Sequence, residues 1–243
     1  MKAIILAAGR GSRMQYMTDE APKCLIKIKG TPLIERQISL FKEVGINEIA
    51  VVTGYKREKL QKYKLKEFYN NKWSSSQMVY SLFQAEKWLK KTNFIVSYSD
   101  IFYEKSALLT LIHSKNDLSI TYDKNWRSLW GKRFENPLSD AETFLFDENN
   151  FLLTIGQKTK SYEDVKGQYM GLLKFSPNGW QSASKFYAGL SKVDKYSMDM
   201  TSFLSSLIIN KIIKIKVFEY DEDWGEMDAV TDLNFYNEKY NPK

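Results

Sequence analysis

The stretch Lys2-Ala3-Ile4-Ile5-Leu6-Ala7-Ala8-Gly9-Arg10-Gly11-Ser12-Arg13-Met14 decides how the chain is read. Residues 2–8 form a nearly unbroken apolar run that Gly9 stops. A strand wetted on one face alternates apolar and polar side chains. A continuous run is how a strand covered on both faces of a parallel sheet reads. The polar segment 10–29 follows, and then Pro32, a residue suited to a first helical position. Leu33, Ile34, Ile38, Phe41 and Val44 recur at helical spacing, and Gly45 closes that helix. Ile49-Ala50-Val51-Val52 reads as a second buried strand. Residues 76–91 predict an amphipathic helix, 94–98 a strand with Asp100 just past its end, 104–115 a helix and 118–122 a strand.

This alternation predicts an α/β fold: a Rossmann-like, mostly parallel sheet with helices on both faces. From about residue 123 the texture changes. Segments 141–147, 151–156 and 167–175 alternate around turn residues, which predicts antiparallel strands laid over one edge as a substrate-side insertion. Helices near 178–190 and 199–211, a strand over 214–220 and a helix near 229–239 complete the reading. No repeat, low-complexity segment or linker divides the 243 residues, so a single domain is expected.

Composition narrows the function classes. Hydrophobic residues make up 43% and charged residues 27%, as in ordinary globular proteins. No stretch approaches the roughly 18 consecutive apolar residues of a membrane span. The start runs directly into glycines and arginines without a small-residue cleavage site, so no signal peptide is expected. One cysteine, Cys24, allows no internal disulfide and suits a reducing, cytoplasmic setting. One histidine, His113, allows no histidine-rich metal site and argues against Ser-His-Asp or Cys-His catalysis. The 36 Lys plus Arg against 29 Asp plus Glu give +7, but the bases are scattered as pairs. That pattern favours anionic small substrates over nucleic acid or membrane.

Glycines 9 and 11, directly after a strand, let backbone N–H groups approach a phosphate. A dinucleotide-binding loop wants a third glycine where Met14 stands and an acid at the end of the second strand; neither is present. A Walker loop wants Gly-Lys-Ser/Thr, and Gly11-Ser12-Arg13 is not that. Leu6 through Arg13, with Pro22-Lys23 beyond, instead resembles the signature of the nucleotidyltransferases that make nucleoside-diphosphate sugars and related activated alcohols. Residues 29–55 resemble that family as well, and the resemblance extends over essentially the whole chain. It implies the nucleotide-diphospho-sugar transferase-like fold, with residues 1–122 as the nucleotide-binding half and 123–243 as the acceptor-binding half. It also implies the reaction. An acceptor phosphate oxygen attacks the α-phosphorus of a nucleoside triphosphate in line, and pyrophosphate leaves without a covalent enzyme intermediate.

The resemblance assigns Leu6, Ala8, Gly9, Gly11, Ser12 and Arg13 to the nucleotide. Gly9, Gly11 and Arg13 would cradle the outer phosphates, and Lys23 would sit on the α-phosphate. Asp100, in Ser97-Tyr98-Ser99-Asp100, and Asp228, in Trp224-Gly225-Glu226-Met227-Asp228, stand where the family holds Mg²⁺, with Glu226 as a further ligand. Arg13, Lys23, Asp100 and Asp228 form the expected catalytic set. Either carboxylate alone reads more readily as a strand-end cap.

Within the family the chain resembles short cytidylyltransferases of the phosphocholine type. In Trp73-Ser74-Ser75-Ser76-Gln77-Met78-Val79-Tyr80-Ser81, Ser76 and Gln77 are the expected readers of cytosine, with helix capping by Ser74–Ser76 as the alternative. The block 123–142, with two tryptophans among bases and acids, resembles cytidylyltransferases that activate phosphonates or phosphorylated amino-acid-like compounds such as L-glutamine phosphate for capsule phosphoramidate. On that likeness Lys124 or Arg133, with Lys158, would bind the acceptor phosphate. Asp140 and Glu142 would hold its amine, and Trp126 or Trp130 would wall it. A tryptophan cluster sealing an apolar seam is the alternative. Gln168 and Gly171 are expected at the pocket floor, and Asp199 to Phe203 begin a helix lining the acceptor side. The expected partners are CTP and a small phosphorylated or phosphonate acceptor, with a homodimer compatible. Phosphocholine cytidylyl transfer, or sugar-1-phosphate transfer from UTP, GTP or dTTP, are the alternatives.

Overall fold

A computed structural model describes residues 1–240. The chain begins β1 (Lys2–Ala7), β2 (Lys27–Ile28), β3 (Thr31–Pro32), α1 (Leu33–Glu43), β4 (Glu48–Thr53), β5 (Lys66–Tyr69), α2 (Met78–Phe83) and α3 (Glu86–Leu89). Next come β6 (Phe94–Tyr98), β7 (Ile101–Tyr103), α4 (Lys105–His113), β8 (Leu118–Asp123), α5 (Trp126–Arg133), β9 (Glu142–Phe146) and β10 (Leu152–Lys158). It ends β11 (Gln168–Phe175), α6 (Pro177–Gly189), α7 (Lys192–Ser197), α8 (Met200–Ile209), β12 (Ile215–Tyr220), β13 (Trp224–Glu226) and α9 (Val230–Tyr240).

Seven strands form one sheet in the order β12-β8-β11-β6-β1-β4-β5. Strands β6, β1, β4 and β5 are mutually parallel, as are β8 and β12. Only β11 runs against its neighbours β6 and β8. The sheet is therefore mostly parallel, and the carboxyl ends of six strands open on the same edge. In such sheets that edge is where ligands bind.

The unbroken apolar run of β1 is explained by burial on both faces. Ile4, Leu6 and Ala8 join one core with Leu82 of α2, Leu89 of α3, Trp180 of α6 and Phe203 of α8. Ala3, Ile5 and Ala7 join the other with Phe41 of α1, Leu108 of α4 and Trp126 and Trp130 of α5. A third, smaller cluster packs Tyr236 of α9 against Met14, Ile28, Leu33, Phe102 and Met227. It seats the last helix on the loop that follows β1.

Two expectations need correction. Residues 167–175 do not lie over an edge: β11 is inserted between β8 and β6 at the middle of the sheet. Its Leu172 and Leu173 enter opposite cores, which only a strand covered on both sides can do. The helix expected over 76–91 is two short helices, α2 and α3. Val79, Leu82, Ala85 and Leu89 keep helical spacing across the break and are all fully buried, so periodicity does not reveal it. Segments 141–147 and 151–156 do form an antiparallel hairpin, β9–β10, separate from the main sheet.

Candidate active site

The loop after β1 is fixed from several sides. Gly11 has left-handed backbone (φ 71°, ψ 54°) and starts the 3-10 turn Ser12–Thr18. The Thr18 hydroxyl donates to Gly11 O at 3.2 Å, and the Tyr55 hydroxyl donates to Thr18 O at 2.8 Å. The Tyr55 N–H bonds Ala8 O at 2.9 Å, tying the end of β1 to the end of β4. Arg13 stands 70% exposed at the mouth, with its guanidinium on the Asp228 carboxylate.

Below this loop, ligand oxygens of Asp100, Glu226 and Asp228 lie within 4.8 Å of one another. The pairing of β13 with β7 brings them together: Glu226 sits opposite Ile101, directly after Asp100. The Met227 N–H then donates to Asp100 O at 2.8 Å, locking the two segments at the level of the carboxylates. Lys23 enters between them, with its Nζ on Asp100 and 3.2 Å from Asp228. Burial opposes charge on this ammonium, but Asp100, Asp228 and Glu226 together hold its pKa above the ordinary lysine value. Burial, followed by the neighbouring Asp100 and Asp228, pushes the Glu226 carboxyl well up from its usual range. Asp100 Oδ1 is buried and receives no hydrogen bond. An orphaned carboxylate oxygen within an all-oxygen cluster is the donor set that a hard divalent cation takes.

The residues expected at the base, Ser76 and Gln77, link the turn 71–75 to α2. Ser76 Oγ accepts from Asn70 Nδ2 at 3.0 Å and donates to Lys72 O at 2.9 Å. Gln77 is the residue before α2, and no side chain caps that helix, so the capping alternative does not describe Ser74–Ser76. Ser74–Gln77 line a cavity of about 570 Å³ with Lys192, Val193, Tyr196 and Ser197 of α7.

On the acceptor side the structure separates the expected residues. The Arg133 side chain is 2% exposed and bonded to Asp232 at 2.8 Å, so it does not face an acceptor phosphate. Trp126 and Trp130 are buried in the core, where Trp130 packs on Trp224, and the seam-sealing alternative is the correct one. Lys124 pairs with Glu219 of β12 at 2.8 Å, on the outer strand of the sheet. Gln168 bridges to the Glu142 backbone at 2.8 and 3.3 Å and so joins β11 to β9. Gly171 (φ 77°) admits protein rather than ligand: a Cβ there would lie 2.6 Å from the Tyr98 ring.

Glu142 and Lys158 do come together, as register partners in the β9–β10 hairpin. Burial, followed by Asp199 and Asp140, pushes the Glu142 carboxyl up, against the Thr201 hydroxyl and Lys158. Asp140 is exposed and accepts from the Trp130 indole at 3.2 Å. Tyr98 and Tyr169 pack edge to face with centroids 5.8 Å apart. Burial, then Tyr169, Asp100, Glu226 and Asp199, push the Tyr98 phenol well above its ordinary value. Tyr98 thus feels the charge of both the carboxylate cluster and Asp199, a role that the sequence did not single out. Its place directly before Ser99-Asp100 at the end of β6 was the available signal.

Residues 3–134 match the MobA-like NTP transferase domain. The chain is 39% identical to the CTP:phosphoglutamine cytidylyltransferase of Campylobacter jejuni subsp. jejuni serotype O:2, over 98% of this chain and 100% of that protein. It is 39% identical to the choline-phosphate cytidylyltransferase of Streptococcus pneumoniae over 42% of this chain and 46% of that one. Among solved structures, the inositol-1-phosphate CTP transferase of T. maritima superposes with TM-score 0.76 at 19% identity, covering 97% of this chain and 93% of that chain.

Proposed function

The chain belongs to the MobA-like NTP transferase domain family and is a nucleotidyltransferase, and from that premise we propose that it transfers CMP from CTP to the phosphate or phosphonate of a small amine-bearing acceptor of the L-glutamine phosphate type. The observation that carries transfer chemistry is Lys23, held between Asp100 and Asp228 beneath the Gly9–Arg13 loop. The full-length identity to a phosphoglutamine cytidylyltransferase supports the choice of CTP and acceptor. Residues 1–122 act as the nucleotide half and 123–243 as the acceptor half of one domain.

Asp100, Glu226 and Asp228 would hold Mg²⁺, which when bound supplies positive charge to the triphosphate. Backbone N–H groups of the Gly9–Arg13 loop and the Arg13 guanidinium grip the outer phosphates. The Lys23 ammonium takes an α-phosphate oxygen, where charge accumulates as the bond forms from the acceptor oxygen and the bond to pyrophosphate breaks. Because its neighbours keep Lys23 charged, no proton has to be supplied to it. Ser76 and Gln77 face the cytosine edge. Glu142 and Asp199 hold the acceptor amine, and Lys158 its anionic end. No helix among the described residues is long and apolar enough to cross a membrane.

The test is pyrophosphate release with Mg²⁺, scanning CTP, UTP, GTP and ATP against glutamine phosphate, phosphocholine, 2-aminoethylphosphonate, 2-hydroxyethylphosphonate and glucose-1-phosphate. Release with CTP and an amine-bearing acceptor is expected. Release with UTP or GTP and glucose-1-phosphate would overturn the proposed base and acceptor while leaving the transfer chemistry intact.

A further inference from the structure

We propose that Arg133 and Asp232 are positioning residues that hold Glu226 and Asp228 in place for a divalent cation, an inference that rests on reading Asp100, Glu226 and Asp228 as the cation site. The two side chains are 2% and 5% exposed and 99 residues apart, and the Arg133 Nε–H donates to Asp232 Oδ1 at 2.8 Å. The other Asp232 oxygen, Oδ2, accepts from the backbone N–H of Asp228 at 2.9 Å and of Ala229 at 2.8 Å. One carboxylate therefore grips the arginine on one side and, on the other, the main chain of the very residue offered to the cation. Charge-assisted bonds of this kind are shorter and stronger than neutral ones, and two on adjacent amides fix the direction in which the Asp228 side chain leaves the backbone.

Arg133 reaches the second ligand directly. Its Nη1 lies 3.9 Å from Glu226 Oε2 and is buried without a hydrogen-bond partner. That distance is an ion pair but not a hydrogen bond, so the guanidinium steadies Glu226 without closing its oxygen to another cation. The arginine is itself immobilised, with the guanidinium carbon 5.0 Å from the Trp130 ring and 5.2 Å from the Phe134 ring. Trp130 packs on Trp224 at the start of β13, the strand that ends in Glu226. The buried tryptophans of α5 thus have a role in the site without touching a substrate: they seat the arginine behind it. A partnership used only for helix capping would need the Asp232 carboxylate and the two amides; the buried arginine is the part that capping leaves unexplained.

The experiment titrates the full-length protein with Mn²⁺ alone, following water proton relaxation, for the parent, Asp232→Asn, Arg133→Lys and Asp100→Asn, with a thermal melt of each. Partners behind metal ligands commonly change affinity by about 10–100-fold, so Asp232→Asn is expected to weaken Mn²⁺ binding about tenfold or more. Arg133→Lys keeps a charge near Asp232 but loses the fork toward Glu226, and a smaller weakening of at least about threefold is expected. In turnover, the Mg²⁺ concentration for half-maximal rate should rise in both, while the KM for the nucleotide at saturating Mg²⁺ stays near that of the parent. If Asp100→Asn binds Mn²⁺ like the parent, the cation-site reading falls and this proposal with it. If Asp100→Asn is weakened but cooperatively melting Asp232→Asn and Arg133→Lys bind like the parent, the positioning role alone is overturned. Should Asp232→Asn fail to melt cooperatively, Arg133→Lys decides by the same threshold.

Discussion

A Cβ on Gly11 would lie 2.8 Å from Cδ of Lys23. The glycine is therefore needed twice, for its left-handed backbone and for the space through which the lysine reaches the carboxylates. Gly11→Ala costs roughly 1–2 kcal/mol in backbone conformation alone. It must also push the Lys23 stem aside. A displacement of about 1 Å at a catalytic group can cost on the order of 10²-fold in rate. The variant should melt only a few degrees below the parent, yet lose about 10²-fold in kcat/KM for pyrophosphate release. Parent-like kinetics in a folded Gly11→Ala would show that the stem adjusts freely and that the packing is not functional.

Glu226 gives the cluster a pH signature in the absence of divalent cations. Burial and its carboxylate neighbours raise its folded pKa above the unfolded value near 4.3. Between those two values the folded protein binds more protons than the unfolded chain, so stability falls as pH rises through the window. Glu226→Gln removes that proton and its linkage. In EDTA, urea unfolding should find the variant close to the parent at pH 5 and more stable at pH 8.5, by on the order of 2 kcal/mol. Parallel profiles for the two proteins would contradict the raised value.

The sequence carried the chemistry of the site more plainly than its assembly. Gly9, Gly11, Lys23, Asp100 and Asp228 could be picked out because the short segments that carry them resemble a nucleotidyltransferase signature. The contact that brings Asp100 to Glu226 was not, because β7 and β13 are three residues each and show no periodicity of their own. Residues 167–175 were legible as a strand, but a local pattern does not name a strand's neighbours, so its insertion between β8 and β6 could not be read. Arg133 was misread for a different reason. An arginine three residues after a tryptophan, in a segment rich in bases, looks like an exposed binding residue unless its buried partner is known, and that partner is 99 residues away. Asp232 did leave a trace, an acid placed to reach back to the Ala229 N–H at a helix start, as in a capping box.

Cys24 directly follows Lys23 and provides a probe of the loop's integrity. Burial, and then the nearby Asp100, push its thiol up to about 12. Reaction requires the thiolate and access, and the native fold denies both. Ellman's reagent at pH 8 should leave the native thiol unmodified over the time in which the urea-unfolded protein reacts completely. Adding Mg²⁺ with CTP should slow any residual native modification further, since ligands that favour the folded state suppress opening. Rapid reaction in the native protein would mean that the segment carrying Lys23 opens without global unfolding.

The acceptor assignment turns on Glu142, which lies against Lys158 across the hairpin and near Asp199. A carboxylate that receives an ammonium hydrogen bond contributes about 1.5–3 kcal/mol, which corresponds to roughly 10–100-fold in affinity. Glu142→Gln should therefore raise the KM for an amine-bearing acceptor by about 10–100-fold, while the KM for CTP changes little. The pH dependence separates this role from a structural one. Burial, then Asp199 and Asp140, hold the free carboxyl above its usual range, so it must lose a proton before it can pair with an ammonium. Acceptor binding by the parent should strengthen as pH rises through that raised value and then level off. In Glu142→Gln the slope should vanish and leave a flat profile at low affinity. An acceptor without an amine, such as 2-hydroxyethylphosphonate, should show neither the slope nor the loss. If it shows both, Glu142 acts on the phosphonate end through Lys158 and not on the amine.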